Sequence, residues 1–201
     1  MNHIKISGTL ESLYFSHTVC DRPRYEGVLK VPRSSGACDH IHIQMWDSSL
    51  TVGDAYMVEG EVRTNRYSGD NPQHPHKMSY VTVTSIAPCD PDSVGINEVH
   101  ISGEVIYKSS IRKTPVSDKQ IQPFQLFVPS KHHRSYPNII AWEELAVTVA
   151  NTISVNQIVS VIGRLQSREY VKDGAIYRIH EICATEVEYL GKDTESNPSE
   201  T

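Results

Sequence analysis

Residues 4–10 read Ile-Lys-Ile-Ser-Gly-Thr-Leu, so Ile4, Ile6 and Leu10 alternate with Lys5, Ser7 and Thr9. Val99, Ile101 and Val105 fall on the same phase in Val-His-Ile-Ser-Gly-Glu-Val. Alternation with period two puts every second side chain on one face, which predicts two strands, each with one buried face. Gly8 and Gly103 hold equal places in them and suit a bulge or tight bend of a strongly curved sheet. Further strands are predicted at 25–32, 40–46, 55–66 and 79–87, with counterparts at 122–129, 137–142, 157–170 and 175–189.

The pairing of these segments is a repeat. NHIKISGTL at 2–10 answers NEVHISGEV at 97–105, and LKVP at 29–32 answers LFVP at 126–129. Trp46 answers Trp142, VEGEVRTNRY at 58–67 answers VIGRLQSREY at 161–170, and SYVTVTSIA at 79–87 answers IYRIHEICA at 176–184. Matches in one order at nearly constant spacing mark a duplication. The spacing jumps after Trp142, where EELAVTVANTISVN fits one or two helical turns plus a loop, against the short DSSLTVG after Trp46. It falls back across SGDNPQHPHKM at 68–78, which reads as a long exposed loop.

Five strands per copy, with one short helix between the third and fourth strands of the second, predict an all-β chain of two tandem OB-folds, each a partly open Greek-key barrel. The first is placed at 1–88 and the second at 97–190. A Pro- and Gly-containing linker at 89–96 joins them, and 191–201 is placed as a disordered tail.

Composition narrows the function. At 38% hydrophobic the chain can bury a core, and no apolar run approaches the ~20 residues of a membrane helix. The N-terminus lacks the apolar stretch of a secretory signal, which points to a cytoplasmic protein with no membrane contact. Cys20, Cys38, Cys89 and Cys183 stand apart, so free thiols are expected rather than a disulfide framework. The net charge of −5 does not announce a nucleic-acid binder, although residues 97–190 are neutral while 1–96 carry −3 and the tail −2. No nucleophile, metalloprotease or phosphate-loop motif is present. His74, His76, His132 and His133 have no partners at zinc spacing. No enzyme activity, metal or cofactor is expected.

The second copy resembles the bacterial single-stranded DNA-binding protein family over nearly its whole length. The matching pieces are NEVHISGEV, IRKTP leading to FQLFVP, YPNIIAWEELA, VIGRLQSREYVKDG and YRIHEICATEVEYL. In that family bases stack on outward aromatics, and the resemblance carries this role to Tyr136, Trp142 and Tyr170, and in the first copy to His40, Trp46 and Tyr67. It also implies a homo-oligomer, as two chains of two barrels supply four, with replication or recombination proteins as further partners and a nucleoid-associated role. The chain departs from the family in the first copy, which lacks the helix. It departs again in its tail, GKDTESNPSET, which ends in Thr201 rather than in acids and a phenylalanine.

Unpaired strands are held by aromatic faces on bases and by cations along the phosphates. The candidate cations of the second copy are Lys108, Arg112, Lys113 and Lys119, then Lys131 and Arg134, then Arg164 and Arg168; those of the first are Arg22, Arg24, Arg33, Arg63 and Arg66. Phe127 should point outward beside them. Each has a plainer reading: Trp142 as a core residue, the tyrosines as packing, and the loop cations as solvated charges. The function expected is sequence-tolerant binding of single-stranded DNA in replication, recombination or mobile-element transfer. The alternatives are a protein-docking or assembly module and an RNA binder.

Overall fold

The computed structural model describes residues 1–46, 49–67, 76–115, 117–131, 133–172 and 175–192. The alternating segments form the strands β1 (Asn2–Val19), β2 (Arg22–Pro32), β3 (Cys38–Met45), β4 (Ala55–Tyr67) and β5 (His76–Pro88). After a short 3-10 turn at Pro91–Ser93 come β6 (Asn97–Lys108), β7 (Arg112–Lys113), β8 (Gln120–Pro129), β9 (Arg134–Ser135) and β10 (Asn138–Trp142). The helix α1 (Glu143–Thr152), β11 (Gln157–Lys172) and β12 (Ala175–Lys192) complete the order.

The first half closes as β1-β2-β3-β5-β4 and back to β1; the second closes as β6-β8-β10-β12-β11 and back to β6. The β3–β5 and β10–β12 contacts are parallel, and the other ladders are antiparallel. The fold is therefore all-β, two OB-folds in tandem, with one helix in the second. Between Met45 and Ala55 no helix occurs among the described residues. The inward phase fills the barrels: Ile4, Ile6, Leu10, Leu29, Ile41 and Ile43 in one, Val99, Ile101, Phe124, Leu126, Leu165 and Ile182 in the other. Each such side chain contributes roughly 1.5–3 kcal/mol on burial.

Gly8 and Gly103 serve a close approach rather than a bulge. A Cβ on either would lie 2.4 Å from a facing carbonyl oxygen, that of Lys30 or of Phe127. The register shifts fall later, between Leu10 and Ser12 and between Val105 and Tyr107. A second matched irregularity confirms the duplication in detail. Thr84 and Thr185 sit at the skips opposite Gly60 and Gly163, and their hydroxyls donate to the Glu59 and Ile162 carbonyls at 3.2 and 3.1 Å.

The first hairpin is longer than its alternation predicts. The β1–β2 ladder runs out to Val19 opposite Arg22, and Cys20 and Asp21 turn the chain with φ of 47° and 60°. Two left-handed residues make the two-residue turn that suits the twist of a hairpin. The usual Asn-Gly signal is absent, which is why the sequence hides it.

The barrels are joined edge to edge. β1 pairs β6 antiparallel with Ile4 opposite Val99, the same position in each copy, so the contact has the form of an isologous dimer interface inside one chain. Matched hydrogen bonds flank it: His40 N donates to Ser167 Oγ and Tyr136 N to Thr64 Oγ1, both at 2.8 Å. The linker is strapped down, with Ser7 N donating to Ile96 O at 2.8 Å and Gly95 N to Ser7 O at 3.0 Å.

Candidate nucleic-acid interface

Because β8 points Phe124, Leu126 and Val128 into the core, it must point Pro123, Gln125 and Phe127 outward. Register carries this outer face across the sheet. Gln125 lies opposite Asn138, Pro123 opposite Ile140 and Ile121 opposite Trp142; on the next pair, Arg168 lies opposite Ile179 and Gln166 opposite Glu181. The face forms a groove of about 510 Å³, and Trp142, Arg168, Arg112 and Lys113 all line it. Four of the sequence candidates thus converge on one surface.

Trp142 is half-buried and stands outside the hydrophobic core. Burial pushes the neighbouring Cys183 thiol up, and the Trp142 indole, hydrogen-bonded to it, works in the other direction. That contact holds one edge of the indole. Arg112 and Lys113 are exposed on the short strand β7, and Lys113 meets Asp118 at 2.7 Å in full solvent. Arg168 keeps a 54% exposed side chain while its Nε donates to Glu181 Oε1 at 3.1 Å. Glu181, itself buried, also accepts from Gln166 Nε2 at 2.9 Å. Tyr107, 59% exposed, Gln166 and Glu181 line the groove and were missed as candidates. Tyr107 shares the inward parity of Val105 and is turned outward only by the register shift between them, which local alternation does not record.

Other candidates lie elsewhere. Phe127 and Tyr136 pair with ring centroids 5.6 Å apart and planes tilted by 31°, next to the junction with the first barrel. Lys131 and Arg134 are exposed by the β8–β9 turn, and Lys119 is exposed before β8. Lys108 does not face the groove. Its ammonium donates to the carbonyls of Ala150 at 2.8 Å and of Ile153, at the C-terminus of α1, where a cation opposes the helix dipole. Arg164 is likewise taken. It meets Asp39 of the first barrel at 3.2 Å, where Arg33 also binds and where the Ser167 N–H donates at 2.6 Å. Lys108, Arg164 and Arg33 thus have the fold's own carbonyls and one buried carboxylate as their partners in this structure.

In the first barrel Trp46 is exposed, with Arg22 and Arg24 over its ring. Arg63 is held by Glu61 at 3.0 Å, and His40 by Glu11 at 2.7 Å. The side chains of Arg66, Tyr67 and Tyr170, with His74, His132 and the tail from residue 193, lie outside the described residues, as does the side chain of His76. Among the described residues no group of His, Cys, Asp and Glu could hold a metal ion, and no helix is long and apolar enough to cross a membrane.

This surface can stack flat rings on Trp142 and place phosphates against Arg112, Lys113 and Arg168. Residues 96–190 match the single-strand binding protein family. The chain is 28% identical over 111 residues to Single-stranded DNA-binding protein 3 of Clostridium acetobutylicum, covering 52% of this chain and 77% of that protein. It is 30% identical over 101 residues to Single-stranded DNA-binding protein 2 of Streptococcus agalactiae, covering 47% and 76%. The fold overlays the crystal structure of the wild-type single-stranded DNA binding protein from Thermus aquaticus with a TM-score of 0.75 at 18% identity, over 100% of this chain and 96% of that one.

Proposed function

Because this chain belongs to the single-strand binding protein family, we propose that it binds single-stranded DNA without sequence preference and without catalysis. The observation that carries the reading is the groove in which Trp142 is flanked by Arg112, Lys113 and Arg168. Bases stack on the indole, with Tyr107 extending the stacking surface, and phosphates meet the three cations; for Tyr170 a stacking role rests on the family resemblance alone. Phe127 and Tyr136, with Lys131 and Arg134, continue the path toward the first barrel. Residues 1–88 and 97–190 act as duplicated units of unequal strength, the second binding more tightly. Two chains assemble to present four barrels, in a replication, recombination or mobile-element setting.

The test is an anisotropy titration with labelled oligothymidylate, matched oligouridylate and duplex DNA at 50 and 200 mM salt. The single strand of DNA should win. The three groove cations alone give a salt slope near −2, and any contact beyond the groove steepens it, so affinity should fall by at least roughly 20-fold between the two salt levels. Equal affinity for duplex, or no change with salt, would defeat the proposal; preference for the uridylate would move the ligand to RNA.

A further inference from the structure

Trp46 occupies in the first barrel the place of Trp142 in the second, but its ring is not bare. The guanidinium carbons of Arg22 and Arg24 lie 4.9 and 4.4 Å from its centroid. Both arginines come from β2 two residues apart, so they share the outer phase of that strand and reach the ring together. Arg24 also donates from Nη2 to Gln44 Oε1 at 2.6 Å. Neither arginine is ion-paired among the described residues. Two like charges over one ring are only partly compensated by its quadrupole, which is worth about 0.5–1 kcal/mol per contact at exposed sites. Burial also pulls the Arg24 guanidinium below its usual pKa; Tyr80 and Glu26 oppose the effect and Arg63 reinforces it. Among the described residues no carboxylate is in ion-pair contact with either guanidinium, and Glu26 acts on Arg24 only at longer range, which leaves the pair open to a phosphate.

We infer that Arg22, Arg24 and Trp46 form a one-nucleotide subsite on the first barrel that the protein covers itself. In the free chain the guanidiniums occupy the ring. When a strand arrives they leave the ring for its phosphate, and the base takes the place they vacate. A phosphate offers guanidinium charge-assisted, often bidentate hydrogen bonds that an indole cannot. The exchange gives the first barrel a reason to keep its tryptophan although Arg63 and His40 are engaged with carboxylates. It also makes stacking there conditional on a phosphate, so a free nucleobase should not suffice. The inference rests on the reading that the chain binds single-stranded DNA.

The experiment uses the full chain with Trp142→Phe, which leaves Trp46 as the sole emitter of the two tryptophans. Every further variant is compared within that background. Acrylamide quenching of Trp46 should rise at least about two-fold on adding Arg22→Ala and Arg24→Ala, because the cover is gone. Oligothymidylate should still dim Trp46 at saturation in this variant, while the salt slope of binding falls by roughly 1.4, the share of two phosphate contacts. Arg22→Lys with Arg24→Lys should restore the slope. Unchanged acrylamide quenching, or an unchanged salt slope, overturns the exchange. If the unaltered protein binds oligothymidylate by anisotropy but Trp46 emission never responds, the subsite fails and the wider function stands. If the unaltered protein does not bind, the wider function fails first.

Discussion

Replacing Asp39 by alanine removes the carboxylate that ties the two barrels together. That side chain is 1% exposed and takes Arg33 Nε at 2.8 Å, Arg164 Nη1 at 3.2 Å and the Ser167 N–H at 2.6 Å. Removing one member of a buried ion pair costs about 3–5 kcal/mol, because the other charges stay behind. Here the guanidinium side chains are 26% and 35% exposed and can rehydrate in part. This lowers the ionic share to about 2 kcal/mol. The buried Ser167 N–H, left without an acceptor, adds about 1–3 kcal/mol. The sum is roughly 3–5 kcal/mol, read from urea unfolding by linear extrapolation with an unchanged m-value. Asp39→Asn keeps an acceptor for Ser167 and should lose about half as much. The lever also reaches function, since the junction sets how the outer faces of the two barrels follow one another. A loss under about 1 kcal/mol in the alanine variant would refute the view that this carboxylate locks the barrels.

His180 is 2% exposed with its Nε2 on the His40 carbonyl at 2.8 Å, and burial pulls its pKa down to about 4. The unfolded chain therefore takes up the proton first. Stability should fall as pH drops from about 6.5 toward 4, by about 2 kcal/mol at pH 5 relative to pH 7, and His180→Phe should flatten this part of the pH profile in urea titrations. Lys108→Met should lower the thermal midpoint by several degrees through the C-terminus of α1, yet leave the salt slope of oligothymidylate binding as it was, since that ammonium serves carbonyls. Glu181→Gln removes the carboxylate that holds Arg168 in the groove, so oligothymidylate should bind about several-fold more tightly at low salt, with the gain shrinking as salt rises.

The fold was readable because each strand has a one-sided burial pattern and the chain repeats it. Ile4, Ile6 and Leu10 against Val99, Ile101 and Val105 carried both the strand assignments and the duplication. The extended β1–β2 arm was not readable: beyond Leu10 its residues leave the barrel, so burial no longer imposes alternation on Tyr14 or Phe15, which are 51% and 57% exposed. The groove was half readable. Trp142 and Arg168 lie on outward phases that counting along the strand finds. The partners of Lys108, Arg164 and Arg33 depend on which distant carbonyl or carboxylate folding brings near, and no local pattern records that Asp39 lies beside Arg164. A loop cation and a buried knot look alike until the second barrel is docked on the first.

The proposed binding mode places its first base on Trp142, so truncating that ring is the most direct measurement. Oligothymidylate should be titrated against the unaltered chain, Trp142→Ala and Trp142→Phe at fixed salt. Stacking is worth roughly 1–3 kcal/mol per base, so the alanine variant should bind at least about five-fold more weakly, while phenylalanine keeps most of the affinity and both keep the salt slope. Binding by the alanine variant within two-fold of the unaltered chain would contradict the placement of DNA on this face.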